Sequence, residues 1–174
     1  MSLEQNQIIE FTILFNKYKK RIYNYALKML GDAMFADDIT QIVFLRLYEN
    51  FDKINNRESI LFWLFRTTKN ELMNHFRNNS NKKIYAQSID PEDVDCIDSN
   101  SFAEQFEAKE YVTLLEKELD NLNSEQKEVF VLREYSGLSY KEIASVLKID
   151  ETTVKSRLFK CRQKIIVKFS KLIN

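Results

Sequence analysis

Ile8, Phe11, Phe15, Tyr18, Ile22, Tyr25 and Met29 follow one another at steps of three and four residues. A chain can bury seven such side chains together only as an α-helix, where this spacing brings them onto one face. The pattern predicts a helix over residues 5–30, stopped by Gly31, with Asp32 placed to cap the next one. A second helix is expected over residues 33–51, with Ile39, Val43, Leu47 and Phe51 inward. After a polar loop at residues 52–57, a third is expected over residues 59–78. It carries two opposed stripes: Leu61, Phe65, Thr68, Leu72 and Phe76 on one face, and Arg66, Asn70, Asn74 and Arg77 on the other. Three such helices can pack as one bundle.

A different pattern occupies residues 139–164. Ser139 and Glu142 fit a capping box, in which hydroxyl and carboxylate satisfy free N–H groups reciprocally. Ile143, Ala144 and Leu147 give the short helix that follows an apolar face. Lys148, Ile149 and Asp150 then turn the chain, and Asp150 can cap what comes next. Val154, Leu158, Cys161 and Ile165 repeat at helical spacing, so Thr152, Lys155, Ser156, Phe159 and Lys160 must point outward. Two helices joined by a three-residue turn, the second cationic, have the layout of a helix-turn-helix that reads DNA in the major groove. A basic amphipathic helix packed on a small bundle is the rival for so short a segment.

Only two Gly and one Pro occur among 174 residues, which argues against a β-rich chain, and no strand pattern or internal repeat is present. Residues 79–100 lack periodicity and read as a tether. An acidic helix from near Ser101 to near Asn121 follows, then one from near Ser124 to Ser136, capped near Asn123 and stopped by Gly137. The expectation is an all-α protein of two small helical domains, residues 1–80 and 101–174, joined by a flexible acidic linker at residues 81–100. The net charge of zero hides this division. Residues 1–83 hold 13 Lys/Arg against 9 Asp/Glu, residues 84–125 hold 2 against 12, and residues 126–174 hold 11 against 5. Two cationic modules flanking an acidic segment suit nucleic acid better than a uniform neutral surface would. Cys96 and Cys161 lack metal-like spacing and His75 is the one histidine, so neither a zinc site nor a disulfide framework is expected. Cys161 reads as a small buried apolar group. The longest apolar run, residues 60–65, is too short to span a bilayer, and no leader pattern opens the chain, so a cytoplasmic protein is expected.

Five segments, taken in order, resemble a known family. They are Ala36-Asp37-Asp38-Ile39-Thr40-Gln41-Ile42-Val43-Phe44, Phe62-Trp63-Leu64-Phe65-Arg66, Leu132-Arg133, Gly137-Leu138-Ser139-Tyr140-Lys141-Glu142-Ile143-Ala144, and Thr153-Val154-Lys155-Ser156-Arg157-Leu158. Together they resemble the sigma-70 family of bacterial RNA polymerase sigma factors, in particular its small two-domain extracytoplasmic-function (ECF) group. The likeness implies a sigma region 2-like bundle and a region 4-like helix-turn-helix. It implies docking on the clamp helices of the polymerase largest subunit through Asp38 and Gln41. The family often has an acid where this chain has Ile42, which makes the edge of the docking surface more apolar here.

For the -10 promoter element the resemblance implies Asn70 at a base pocket, with Arg66, Lys69, Asn74 and Arg77 on the same side. A solvated polar face is the rival there, and Trp63, among apolar neighbours, reads as core. For the -35 element it implies Lys155, Ser156, Phe159 and Lys160 at base edges and phosphates, where lysine can donate to guanine and an aromatic ring can touch a thymine methyl. Arg157, Arg162 and Lys164 are expected at phosphate, although Arg157 lies near the core boundary, where a structural ion pair competes. Tyr140 and Lys141 could also touch the DNA backbone. The loop at residues 52–57 supports no base contact by resemblance. The implied partners are core RNA polymerase, promoter DNA and an anti-sigma factor, with no cofactor, metal or small-molecule substrate.

The implied activity is transcription initiation: directing polymerase to specific promoters and helping to melt the start region. Nothing in the chain forms a catalytic constellation, so it is not expected to be an enzyme. A DNA-binding regulator of another kind would share the helix-turn-helix but lack the docking helix. A purely protein-binding helical adaptor would be indifferent to Lys155→Ala and Lys160→Ala. The acidic linker either threads the polymerase cleft or acts as a plain tether. If its charge also keeps the free protein off DNA, deleting residues 90–98 increases binding of the free protein to DNA in an anisotropy titration at low salt. Unchanged binding contradicts this electrostatic role.

Overall fold

The computed structural model describes residues 3–54, 56, 59–80 and 102–173. The helices are α1 (Leu3–Leu30), α2 (Ala33–Glu49), α3 (Ile60–Ser80), α4 (Phe102–Asp120), α5 (Ser124–Phe130), α6 (Tyr140–Leu147) and α7 (Glu151–Ile173). A short 3-10 turn, Phe51–Lys53, follows α2, and a π-helical turn, Val131–Tyr135, continues α5. Among the described residues there is no strand. The expected linker at residues 81–100, Cys96 within it, lies outside the described residues.

The first unit is built from α1, α2 and α3. Gly31 adopts φ +70 and ends α1, and Asp32 Oδ1 accepts from the Phe35 N–H at 3.1 Å to begin α2. Ile22, Tyr25, Leu47, Phe51, Leu64 and Phe65 are almost completely buried. Burial of each large apolar side chain contributes about 1.5–3 kcal/mol. Two expected core residues are not core. Ile8 is 52% exposed because α1, at 28 residues, outruns α2, at 17, and its first turns project past their cover. Cover begins at Phe11, whose ring meets Tyr48 at 5.2 Å and Phe51 at 6.2 Å. Phe76, in the last turns of α3, is 38% exposed beyond the end of the shared core, with the His75 ring edge-on at 6.2 Å.

The second unit packs α5 and α6 on α7, with α4 along the same helix. Asn123 caps α5, accepting from the Gln126 N–H at 2.8 Å. The π turn leaves the Ser136 N–H on Val131 O, and Gly137, at φ +68, carries the chain out of the helix. The capping box is complete: Ser139 N–H donates to Glu142 Oε2 at 2.6 Å and Glu142 N–H donates to Ser139 Oγ at 3.3 Å. Lys148 takes the left-handed conformation at φ 56, and Asp150 accepts from both the N–H and the hydroxyl of Thr153. Val154, Leu158 and Cys161 are buried and Ile165 is half-buried, so α7 has the expected inner face.

The two units share one continuous apolar cluster rather than standing apart. The C-terminal half of α1 packs on the π turn, and α3 packs on α6.

The hydrogen bond from the Ser139 N–H holds the Glu142 carboxyl below its usual range. A lowered folded-state value means that this stabilisation is present above the unfolded value of about 4.3 and is lost as pH falls through the folded value. Wild-type protein therefore loses urea resistance between pH 6 and pH 3, and Glu142→Gln, which keeps a capping amide without a titrating proton, loses measurably less. Equal losses in the two proteins would remove Glu142 from the acid sensitivity of the fold.

Candidate nucleic-acid and polymerase interface

Three groups of side chains lie on α2, α3 and α7. On α2, Asp38 and Gln41 are exposed and Ile42 is 39% exposed, on the side opposite Ile39 and Val43. Capping of α2 falls to Asp32, so Asp38 has no capping task that would account for it. Leu45 extends the same face by one turn and is 59% exposed, so the surface is an acid and an amide followed by two aliphatic groups. Leu45 is not among the residues that the sequence motifs single out. Its signal was an apolar residue off the core stripe.

On α3 the five expected residues divide. Asn70 and Arg77 are exposed and Asn74 is half-exposed, with Arg77 Nη2 donating to Asn74 Oδ1 at 3.1 Å. Arg66 and Lys69 do not face solvent freely as expected. Arg66 Nη2 donates to the Ser145 carbonyl at 2.8 Å, and Lys69 Nζ lies 3.6 Å from Glu128 Oε2, both in the second unit. The reason is the packing of α3 on α6, which no local periodicity encodes.

At the start of α3 is a cleft of about 530 Å³ lined by Asn50, Lys53, Ile54, Asn56, Ser59 and Trp63. Trp63 is half-buried, packed against the core on one side and lining this cleft on the other. Its run of apolar neighbours predicts core alone, and the loop pattern predicts no contact. Amide, hydroxyl and ammonium donors around an aromatic wall form the kind of recess that can hold an unstacked base.

On α7, Lys155, Ser156, Phe159 and Lys160 are all exposed on one face, as are Thr152 and Glu151 a turn earlier. Phe159 is 64% exposed, between Lys155 and Lys160 on the same face. Lys155 Nζ reaches the Tyr140 ring at 5.9 Å, and that ring also receives the Arg133 guanidinium at 5.0 Å. Three cations expected at phosphate have partners within the chain. Arg157 pairs with Glu125 at 2.8 Å, Arg162 with Glu134 at 2.5 Å, and Lys164 donates to Gln126 at 3.0 Å. These contacts brace α7 against α5 and the π turn, with the four outward residues left clear. Cys161, beneath that face, is buried, and burial pushes its thiol up to about 11, so it is an inert packing group.

Two family descriptions match the chain: Sigma-70 region 2 over residues 14–82 and Sigma-70, region 4 over residues 113–165. The RNA polymerase sigma-H factor of Pseudomonas aeruginosa is 25% identical over 162 residues, covering 89% of this chain and 83% of its own. The ECF RNA polymerase sigma factor SigM of Bacillus subtilis is 26% identical over 164 residues, covering 92% of this chain and 96% of its own. Among solved structures, the sigma factor RpoE in complex with the anti-sigma factor NepR, from Bartonella quintana, superimposes with a TM-score of 0.71 at 19% identity. That match covers 90% of this chain and 94% of the other. With both regions matched in order, this chain belongs to the sigma-70 family, as an ECF-type RNA polymerase sigma factor that acts in transcription initiation by directing polymerase to promoters.

Proposed function

We propose a division of this task among the three surfaces. Asp38, Gln41, Ile42 and Leu45 on α2 dock on the clamp helices of the polymerase largest subunit. Asn70, Asn74 and Arg77, with Arg66 and Lys69 once these are released, hold melted -10 DNA, and the cleft beside Trp63 takes an unstacked base. Lys155, Ser156, Phe159 and Lys160 read the -35 duplex from the major groove, with Lys155 or Lys160 donating to guanine and Phe159 touching a thymine methyl. The protein contributes binding energy and orientation, without a covalent step of its own. The Bartonella quintana relative was solved with an anti-sigma factor, which supports an anti-sigma partner for this chain too.

The observation that carries this reading is the exposed row on α7. A ring at 64% exposure, flanked by two exposed lysines and a hydroxyl, sits on a helix whose Arg157, Arg162 and Lys164 are tied down. Electrostatic bracing of the frame, together with an unbraced row in front, is what a reading helix requires.

Run-off transcription with purified core polymerase on genomic promoter fragments should show initiation that depends on this protein. No initiation with active core and a suitable promoter present contradicts the assignment. Loss of one specific base contact costs about 1–3 kcal/mol. Lys155→Ala and Lys160→Ala should therefore cut run-off product several-fold or more, and relax base preference wherever the residue reads a base rather than a phosphate. Arg157→Met serves as the contrast, because a partly exposed ion pair contributes less than about 1 kcal/mol to stability. Its melting temperature should shift by only a few degrees. A large drop would assign Arg157 to the core, and an unmoved transcription level would remove it from the DNA contacts.

A further inference from the structure

Met73 interrupts a row of cations. Arg66, Lys69, Met73 and Arg77 follow one another on α3 at steps of three and four residues, which brings them along one side of the helix. Met73 is 58% exposed there. The inner side of α3 needs nothing from it, because Leu64, Phe65, Thr68 and Leu72 fill that side and are buried. Asn70 and Asn74 border Met73 on the neighbouring stripe, and Arg77 lies one turn further on. Arg77 Nη2 donates to Asn74 Oδ1 at 3.1 Å, so these two side chains brace each other beside the thioether.

Cations along a helix suit phosphate, and phosphate is what a thioether cannot hold: its sulfur is a weak acceptor with no proton to donate. A thioether suits the flat face of a base instead, through dispersion and a favourable sulfur–ring contact. Such a face is open only in a strand whose bases have left the stack. The adjoining amides suit the edge of that base, since each amide offers a donor and an acceptor together. Distance allows one strand to serve both this place and the cleft beside Trp63. The two are about 15 Å apart along α3. About four stacked nucleotides span that length at 3.4 Å each, and fewer do so when the strand is stretched.

We propose that Met73 holds a second unstacked base of the -10 strand. Its thioether lies on the base face, the Asn70 and Asn74 amides meet the base edge, and the Arg77 guanidinium meets the adjoining phosphate. The inference rests on the assignment of α3 to -10 DNA and deepens it. It adds a base contact beyond the Trp63 cleft, and gives that contact to an apolar side chain as well as to the amides.

The test uses holoenzyme formed from core polymerase and the full chain. The probe is a fluorescent single-stranded oligonucleotide carrying the -10 element of a promoter that supports run-off transcription. An abasic site is placed at each position of the element in turn, and binding is followed by anisotropy. Met73→Ala should weaken binding of the intact oligonucleotide about two- to tenfold. At one position, and there alone, it should also shrink the abasic penalty by the same factor, the signature of a contact already removed. Met73→Leu, which keeps an apolar side chain of similar size, should retain most of the wild-type affinity. Because Met73 is exposed, Met73→Ala should melt with wild type and assemble with core as wild type does. Abasic penalties unchanged by Met73→Ala at every position overturn the proposal. So does weaker assembly with core, which would make Met73 a polymerase contact, or a large fall in melting temperature, which would make it a packing residue. Asn70→Ala and Arg77→Ala separate this failure from that of the α3 assignment. Binding weakened by both while Met73→Ala is without effect overturns the proposal alone, whereas binding unchanged by all three overturns the assignment as well.

Discussion

Glu128 is the residue on which the arrangement of the two units depends. Its oxygens meet the Tyr25 hydroxyl and the Lys69 ammonium across an interface where the side chains around it are mostly apolar. A carboxylate in such a place is tolerable only with strong partners, because leaving it alone would carry the desolvation penalty of an unpaired charge. Tyr25 has the matching constraint. It is fully buried, and burial first, then the nearby Glu128 charge, push its phenol well above the usual range, so it remains a donor at any physiological pH. Apolar burial alone would not fix the register of the π turn and Glu128 against α1. The paired donors select one register.

From that register the exposure of each surface follows. The π turn seats on α1 and α6 on α3, which covers Arg66 and leaves Asn70 and Arg77 open. The same packing leaves α7 on the outside, where Glu125, Glu134 and Gln126 hold its lateral cations and the row from Lys155 to Lys160 faces solvent. On α2, Asp38, Gln41, Ile42 and Leu45 are exposed in the same arrangement. One interface therefore leaves the α2 and α7 rows open while covering Arg66 and Lys69 on α3.

Much of this was legible in the sequence where the determinants are local. Helix stripes, the Ser139–Glu142 capping box, the left-handed Gly31 and Gly137, the Asp150 cap and the outward row on α7 all depend on residues within a few positions of one another. The interface was not legible. Lys69 and Glu128 are far apart in the chain, and periodicity reports only that Lys69 avoids the core of its own bundle, not what covers its other side. Arg66 was read as outward for the same reason. Ile8 and Phe76 show the converse: a stripe continues past the end of whatever it packs against. The π turn left no recognisable pattern, and the cleft by Trp63 needed the placement of Asn50, Lys53, Ile54, Asn56 and Ser59 before its lining could be seen. Arg157 was correctly placed at a boundary, and its ion pair with Glu125 shows which side of that boundary it occupies in the isolated chain.

The proposed function turns on the outward row of α7, where Lys155, Ser156, Phe159 and Lys160 are exposed together. Selection from a pool of promoter fragments randomised in the -35 element, using holoenzyme formed with the wild-type chain and with Lys155→Ala or Lys160→Ala, measures this directly. Base preference should be lost at a single position in a variant whose lysine reads a base. A preference unchanged in both variants would contradict the account.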